Sequence, residues 1–156
     1  MRRDDVVGEL ETLAFDFFYW FSRFEFALKE NAFLASHAVG ARASPGWDEF
    51  VKAWGAVFQL TAATQELRTL SPKRQVVAAN NALQWVDENF NGCNTELAKV
   101  VRLLKNVRNN LFHGGKHGVK DWDDPPRTTA LLRSGKKVLD ELADMAGLAA
   151  DYTRYY

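Results

Sequence analysis

The spacing of apolar residues is the feature that most constrains the fold of this chain. In several long segments these residues recur every three or four positions, which places them along one side of an α-helix. No segment shows the alternation that is typical of a strand. Nearly half of the 156 residues are apolar, which is sufficient for one domain with a sizeable core. We therefore predict an all-α protein, a bundle of four to six helices, in which residues 1–156 form a single domain.

Turn and capping residues set the limits of the predicted helices. Ser71-Pro72 provides a hydroxyl cap followed by proline at the first helical position. Asn94 or Thr95 can cap a later helix, and Gly114-Gly115 supply the left-handed conformations that favour its end. The predicted helices cover about 4–31, 47–70, 71–86, 94–113 and 128–152. The segments 35–46 and 116–126 are predicted loops.

The first predicted helix carries apolar side chains on two faces. By the helical step of about 100° per residue, one stripe faces the core. Its members are Leu10, Leu13, Ala14, Phe17, Phe21, Phe24 and Leu28. A second stripe on nearly the opposite side consists of Phe15, Tyr19, Ser22 and Phe26. This second face is expected either to contact a partner subunit or to lie between neighbouring helices.

Charge and cysteine content narrow the class of protein. The 20 basic and 20 acidic residues cancel, so any contact with RNA must come from a local patch. Cys93 is the one cysteine, and no Cys/His cluster has zinc spacing, so we expect a reducing, cytoplasmic setting without a bound metal or cofactor. Residues 1–5 lack the apolar core of a signal peptide, and charged residues interrupt the apolar run from Val6 to Leu34. We therefore expect no membrane association.

The sequence Arg108-Asn109-Asn110-Leu111-Phe112-His113 ends the helix predicted over 94–113 and contains the main candidate site. A permanently charged guanidinium, an amide and an imidazole that titrates near neutral pH can together cleave a phosphodiester without a metal. Arg108 falls in the apolar stripe of its helix, where it needs either a carboxylate partner or an opening onto a cleft. His113 points about 140° away from Arg108 on an ideal helix, so a second subunit is one way to bring the two together.

Each of these residues also has a purely structural interpretation. Arg108 could form a buried ion pair, and His113 could interact with the helix dipole. Asn109 shares a polar strip with Arg102 and Asn106. For Arg102 and Asn106, the preferred interpretation is a face exposed to solvent.

Two further pairs of residues extend the candidate site. Lys116 and His117 either add positive potential near the helix end or belong to a mobile polar loop. Glu25 and Lys29, four residues apart, would form a surface ion pair in the simplest interpretation.

An all-α domain of this size with Arg-Asn-x-x-x-His at the end of a late helix resembles the HEPN superfamily. The architecture covers most of the chain, whereas the motif covers the six residues from Arg108 to His113. Glu25 and Lys29 also resemble an auxiliary Glu-x-x-x-Lys-Arg motif of some members, although Glu30 stands where that motif has arginine.

The resemblance implies an HEPN-like helical bundle with metal-independent endoribonuclease activity in a homodimer. His113 would serve as general base or acid, Arg108 would stabilise the negative charge of the phosphorane, and Asn109 would position either group. Lys116, His117, Glu25 and Lys29 would contact the RNA substrate. Many such proteins are toxins or phage-defence effectors, and some pair with a nucleotidyltransferase antitoxin that modifies a tyrosine two residues after the histidine. Gly115 occupies that position here.

Two other functions remain open at this point. One is a non-catalytic HEPN-like module that binds a nucleotide, RNA or a partner protein. The other is a helical adaptor in which Arg108 forms a structural ion pair.

Overall fold

The computed structural model describes residues 8–112 and 124–154, which form a mostly helical structure with one β-hairpin. The helices of this part of the chain are α1 (Glu9–Glu30), α2 (Trp47–Trp54), α3 (Ala62–Leu70), α4 (Glu96–Phe112), α5 (Pro125–Met145) and α6 (Ala149–Thr153). Strands β1 (Arg74–Val77) and β2 (Leu83–Val86) lie between α3 and α4 and pair in antiparallel fashion. The prediction of a mainly helical fold is therefore confirmed, whereas the prediction of a fold without strands is wrong.

Helix α1 buries its predicted core stripe against α5 and α6. Phe17, Phe21, Phe24 and Leu28 are all at most 3% exposed. Gly135 marks the close approach of α5, because a Cβ atom added there would lie 2.7 Å from the ring of Phe17. The aromatic residues on the other face of α1 remain partly exposed, so the two-faced character of this helix is confirmed.

The single helix predicted over 47–70 is two helices in the structure. Helix α2 ends at Trp54, and Thr61 begins α3 with a capping box. The Thr61 hydroxyl accepts a hydrogen bond from the backbone N–H of Thr64, and the Thr64 hydroxyl accepts one from the backbone N–H of Thr61. These side-chain bonds satisfy the free donors of a helix start and therefore favour a new helix at this point.

The helix predicted over 71–86 is wrong, because this segment forms the β-hairpin. Ser71 ends α3 in the left-handed conformation, with φ of 43°, instead of capping a new helix. Asn80 and Asn81 both have φ of 58°, and they reverse the chain between the strands. Val77 and Leu83 are paired in the hairpin and exposed to solvent, so the apolar residues of this segment do not line one buried face.

Helix α4 matches its prediction closely. The Thr95 hydroxyl accepts a hydrogen bond from the backbone N–H of Ala98 at 3.1 Å, which confirms Thr95 as the cap. The predicted stripe is buried from Leu97 to Val107, and Leu111 is half-buried. The Gly114-Gly115 stop lies outside the described residues.

The last predicted helix, over 128–152, is divided in the structure. Helix α5 begins earlier than predicted because Asp124 caps it and Pro125-Pro126 form its first turn. It ends where Gly147 adopts φ of 67° and the backbone N–H of Leu148 donates to the carbonyl of Ala143 at 2.8 Å. This is the Schellman arrangement, and it separates α5 from the short helix α6.

The buried apolar side chains of the described residues form one cluster, to which all six helices contribute. Helix α5 contacts α1 and α3, while α4 contacts α2, α3 and, less extensively, α1 and α5. Within the described ranges, no helix combines the length and hydropathy that crossing a membrane requires.

Candidate active site on helix α4

Two buried asparagines fix the C-terminal half of α4 against the hairpin. The Asn106 amide donates to the carbonyl of Pro72 at 3.3 Å and to the Glu88 carboxylate at 2.7 Å. The Asn110 amide donates to the carbonyl of Lys73 at 2.7 Å. The prediction that Asn106 belongs to a solvated face is therefore wrong. These bonds set the rotation of α4 about its axis and thereby the direction in which its outer residues face.

Arg102 holds the loop that follows β2. Its Nη1 donates to the carbonyl oxygens of Asn89 and Asn91, both at 3.0 Å. The preferred prediction placed Arg102 on a solvated face, and the structure shows in addition that this partly exposed residue binds the loop to α4.

Arg108 is half-buried and rests on aromatic rings. Its guanidinium carbon lies 5.8 Å from the centre of the Phe21 ring and 5.4 Å from that of Phe112. Its Nη1 donates to the Asn109 side-chain oxygen at 3.0 Å. In residues 8–112 and 124–154, no carboxylate oxygen lies within 4.0 Å of this guanidinium, so the predicted ion pair has no partner there. Within those residues, Asn109 is the one hydrogen-bond acceptor of this guanidinium, which has five N–H donors.

An exposed group of rings, here called the aromatic patch, adjoins Arg108. It consists of Phe15, Phe18 and Tyr19 of α1 and Phe112 of α4, which are 65%, 43%, 38% and 45% exposed. The rings of Phe18 and Phe112 lie 4.9 Å apart between their centres, and Phe15 stacks on Tyr19 at 6.4 Å. Because Phe112 also contacts the Arg108 guanidinium, the patch and the candidate site form one continuous surface.

His113, Lys116 and His117 lie outside the described residues. The distance between Arg108 and His113 is therefore still a prediction. The same holds for any contribution of Lys116 and His117 to substrate binding.

Glu25 and Lys29 do not form the predicted surface ion pair. The Glu25 carboxylate instead accepts a hydrogen bond from the Trp47 indole N–H at 3.0 Å. No oxygen of Glu25 comes within 4.0 Å of the Lys29 ammonium, both residues being in the described part of the chain. The structure brings Glu25 towards Lys105 of α4, one turn before Arg108, and a role of Glu25 and Lys29 in RNA binding stays a prediction.

Lys105 is a residue that the sequence did not single out. It is half-buried, and its ammonium lies 5.5 Å from the centre of the Trp47 ring. Burial lowers the pKa of Lys105, whereas the charges of Asp48 and Glu25 raise it and that of Arg102 lowers it further. Its position three residues before Arg108 was visible in the sequence. The partial burial was not, because it depends on packing against α2.

The described residues contain no group of three or more His, Cys, Asp or Glu side chains that could hold a metal ion. No protein-family model matches the sequence, and no curated protein or solved structure matches it. Function is therefore inferred from the residues and contacts of this chain.

Proposed function

We propose that this protein is a metal-independent endoribonuclease of HEPN type that cleaves RNA at a composite site in a homodimer. One observation carries the proposal: the Arg108 guanidinium is held by two aromatic rings and Asn109, without a carboxylate partner among the described residues. A half-buried arginine that is fixed in place and has no ion pair within 8–112 and 124–154 is suited to bind an external anion. The motif places that arginine close in sequence to an imidazole, His113.

The proposed reaction needs only the groups of the motif. His113 removes the proton of a ribose 2′-hydroxyl, and the 2′-oxygen attacks the adjacent phosphorus. The bond from phosphorus to the 5′-oxygen breaks, and that oxygen receives a proton from an imidazolium. The products are a 2′,3′-cyclic phosphate and a 5′-hydroxyl. Arg108 donates hydrogen bonds to the phosphorane oxygens as their negative charge increases, and Asn109 keeps the guanidinium in position.

The aromatic patch supports the homodimeric form of the proposal. Exposed aromatic rings of this kind are enriched where a protein contacts a partner. A second copy that covers Phe15, Phe18, Tyr19 and Phe112 would meet the first copy beside Arg108. Such a dimer would bring two copies of the motif together, so that Arg108 of one subunit acts with His113 of the other. The HEPN resemblance extends the proposal to a toxin or phage-defence role and to an antitoxin or regulatory partner.

The direct test compares the parent protein with Arg108→Ala and His113→Ala. Each is incubated with single-stranded RNA in excess EDTA, and the ends of the products are identified. Arg42→Ala is the matched control, because Arg42 is exposed in the loop between α1 and α2. DNA of the same sequence is the substrate control, because it lacks the 2′-hydroxyl.

We expect the parent and Arg42→Ala to cleave RNA to cyclic phosphate ends and to leave DNA intact. Arg108→Ala and His113→Ala should be slower by about 10²–10⁴. Cleavage by all four proteins at one rate, or by none of them, would remove the proposal. RNA binding by a parent protein that does not cleave would favour the non-catalytic module instead.

A further inference from the structure

A cleft beside the candidate site contains two further cations of α4. Arg102 and Lys105 line it from α4, and Asp48 and Val51 line it from α2. Gly92 and Cys93 also line the cleft, and its volume is about 220 Å³. Lys105 also borders a second cleft next to Trp47. The cleft opens on the same helix as Arg108, one and two turns earlier.

Neither cation in this cleft is neutralised by a direct ion pair. Over the described residues, no carboxylate lies within 4.0 Å of Arg102 or Lys105, although Asp48 lines the cleft and Glu25 is near enough to act on Lys105. Other cations of the chain are paired closely, such as Lys136 with Asp140 at 2.7 Å. Among the described residues, Arg102 uses one nitrogen for two backbone carbonyls, and its other N–H groups have no acceptor there. The cleft, here called the cationic cleft, therefore presents two cations beside one lining carboxylate, that of Asp48.

The spacing of these cations fits a polyanion better than a single ion. Arg102, Lys105 and Arg108 follow one another at intervals of three residues along α4. Each interval rises by about 4.5 Å and turns by about 60° around the helix axis. The three cations therefore form a row about 9 Å long that winds around α4. A nucleic acid strand carries one negative phosphate per nucleotide and can contact such a row at successive positions.

We propose that the cleft lined by Arg102 and Lys105 binds the phosphate next to the scissile phosphate of a single-stranded RNA. This inference rests on the proposed function, because it takes the scissile phosphate to lie at Arg108. The two residues bind substrate and take no part in the chemistry. Burial disfavours the charged form of the Lys105 ammonium, and a bound phosphate would restore the stabilisation that burial removes.

The binding test uses His113→Ala as the background, so that RNA is not consumed. Lys105→Gln removes the charge, Lys105→Arg retains it, and Lys137→Gln is the matched control at an exposed position on α5. The dissociation constant of a short single-stranded RNA is measured for each protein over a range of salt concentrations. We expect Lys105→Gln to weaken binding about tenfold at low salt. The slope of log affinity against log salt is negative, and it should become less steep by about 0.7, the value for one phosphate contact on a single strand. Lys105→Arg should retain most of the affinity.

The cleavage test varies the length of the substrate. A dinucleoside monophosphate contains only the scissile phosphate, whereas an oligonucleotide also contains flanking ones. The loss of kcat/KM caused by Lys105→Gln, with His113 intact, should be larger for the oligonucleotide and should appear mainly in KM.

The outcomes separate this inference from the proposed function. If the parent cleaves RNA and Lys105→Gln matches Lys137→Gln in affinity and salt slope, the phosphate site is wrong and the endonuclease stands. If Lys105→Gln weakens binding as expected but the parent cleaves nothing, the endonuclease is wrong and the cleft remains a phosphate site. A parent that neither binds nor cleaves RNA overturns both.

Discussion

At the scale of single residues, the candidate site depends on how Arg108 is held. The rings of Phe21 and Phe112 and the Asn109 amide support the guanidinium without neutralising it. If Arg108 belonged to a buried ion pair, its removal would leave an unpaired carboxylate in the interior. The free energy of unfolding would then fall by about 3–5 kcal/mol. Arg108 has no such carboxylate among the described residues, so its removal should affect activity far more than stability.

The stability of Arg108→Ala tests this arrangement. Arg108→Ala should lower the free energy of unfolding by no more than about 2 kcal/mol, the amount expected for two cation–π contacts and one hydrogen bond that are partly exposed. Urea unfolding of the parent and the variant measures the difference. A loss of several kcal/mol would instead identify Arg108 as the structural ion pair of the adaptor hypothesis.

Tyr152 allows a prediction about alkaline pH. Its buried hydroxyl donates to the Asp140 carboxylate at 2.8 Å. Burial, the hydrogen bond and the Asp140 charge raise the pKa of Tyr152 above its usual value of 10.0. The unfolded chain therefore loses this proton at lower pH than the folded chain. The stability contributed by Tyr152 is complete below about pH 10 and declines as the pH rises above that value.

Tyr152→Phe tests this linkage. The variant should be less stable at neutral pH by about 1.5–3 kcal/mol, because a hydrogen bond to a charged group is lost. The difference between parent and variant should narrow above about pH 10. Urea unfolding at several pH values measures it. A difference that stays constant across this range would contradict the assigned hydrogen bond.

At the scale of elements, the hairpin and α4 form one unit through polar side chains. Asn106 and Asn110 bind the chain on both sides of β1 and β2, and Arg102 binds the loop after β2. These contacts set the rotation of α4 so that Arg102, Lys105 and Arg108 are each partly exposed, while the apolar stripe of α4 remains in the core.

Asn106→Ala should weaken this unit. The substitution removes two hydrogen bonds and leaves the Glu88 carboxylate, whose side chain is 5% exposed, without that donor. We expect a loss of about 1–3 kcal/mol in the free energy of unfolding. Asn109→Ala is the matched control on the same helix, because Asn109 is exposed and should cost little stability. Equal effects of the two variants would show that the hairpin contacts do not stabilise α4.

The elements differ in how far the sequence predicts them. Helices α1 and α4 were predictable because each has a long apolar stripe of period 3.6 and buries it. The hairpin was missed because its strands have four residues each and leave Val77 and Leu83 in solvent, so no alternation marks a buried face. Asn80-Asn81 was the available signal, since asparagine tolerates the left-handed conformation.

Part of the candidate site was also predictable from the sequence. The motif identified Arg108 and Asn109 as site residues. The helical wheel placed Arg108 next to the core, where it contacts the buried Phe21. The contacts of Asn106 and the partial burial of Lys105 depend on segments 18 or more residues away in sequence, at Glu88 and at Trp47. Local patterns carry no information about such contacts.

At the scale of the whole molecule, two surfaces surround Arg108 and have different chemistry. The aromatic patch lies on the α1 side, and the cationic cleft lies towards α2. We propose that the aromatic patch binds a second copy of the chain and that the cleft binds RNA. A chain without net charge can then bind a polyanion through one local row of cations.

The dimer surface is tested by Phe15→Glu. Phe15 is the most exposed ring of the patch, so its replacement should spare the core and place a charge in the proposed interface. We expect a monomer by analytical ultracentrifugation and a loss of RNA cleavage. Val39→Glu is the control, since Val39 is fully exposed in the loop between α1 and α2. A Phe15→Glu protein that remains dimeric would exclude the patch as the interface.

The central claim is that Arg108 of one subunit and His113 of the other act on one phosphate. It is tested most directly by mixing the two inactive variants Arg108→Ala and His113→Ala under conditions that exchange subunits. A mixed dimer contains one intact Arg108 and one intact His113 on different chains, so cleavage of RNA should rise at least about tenfold above that of either variant alone. Exchange without any gain in activity would contradict the composite site.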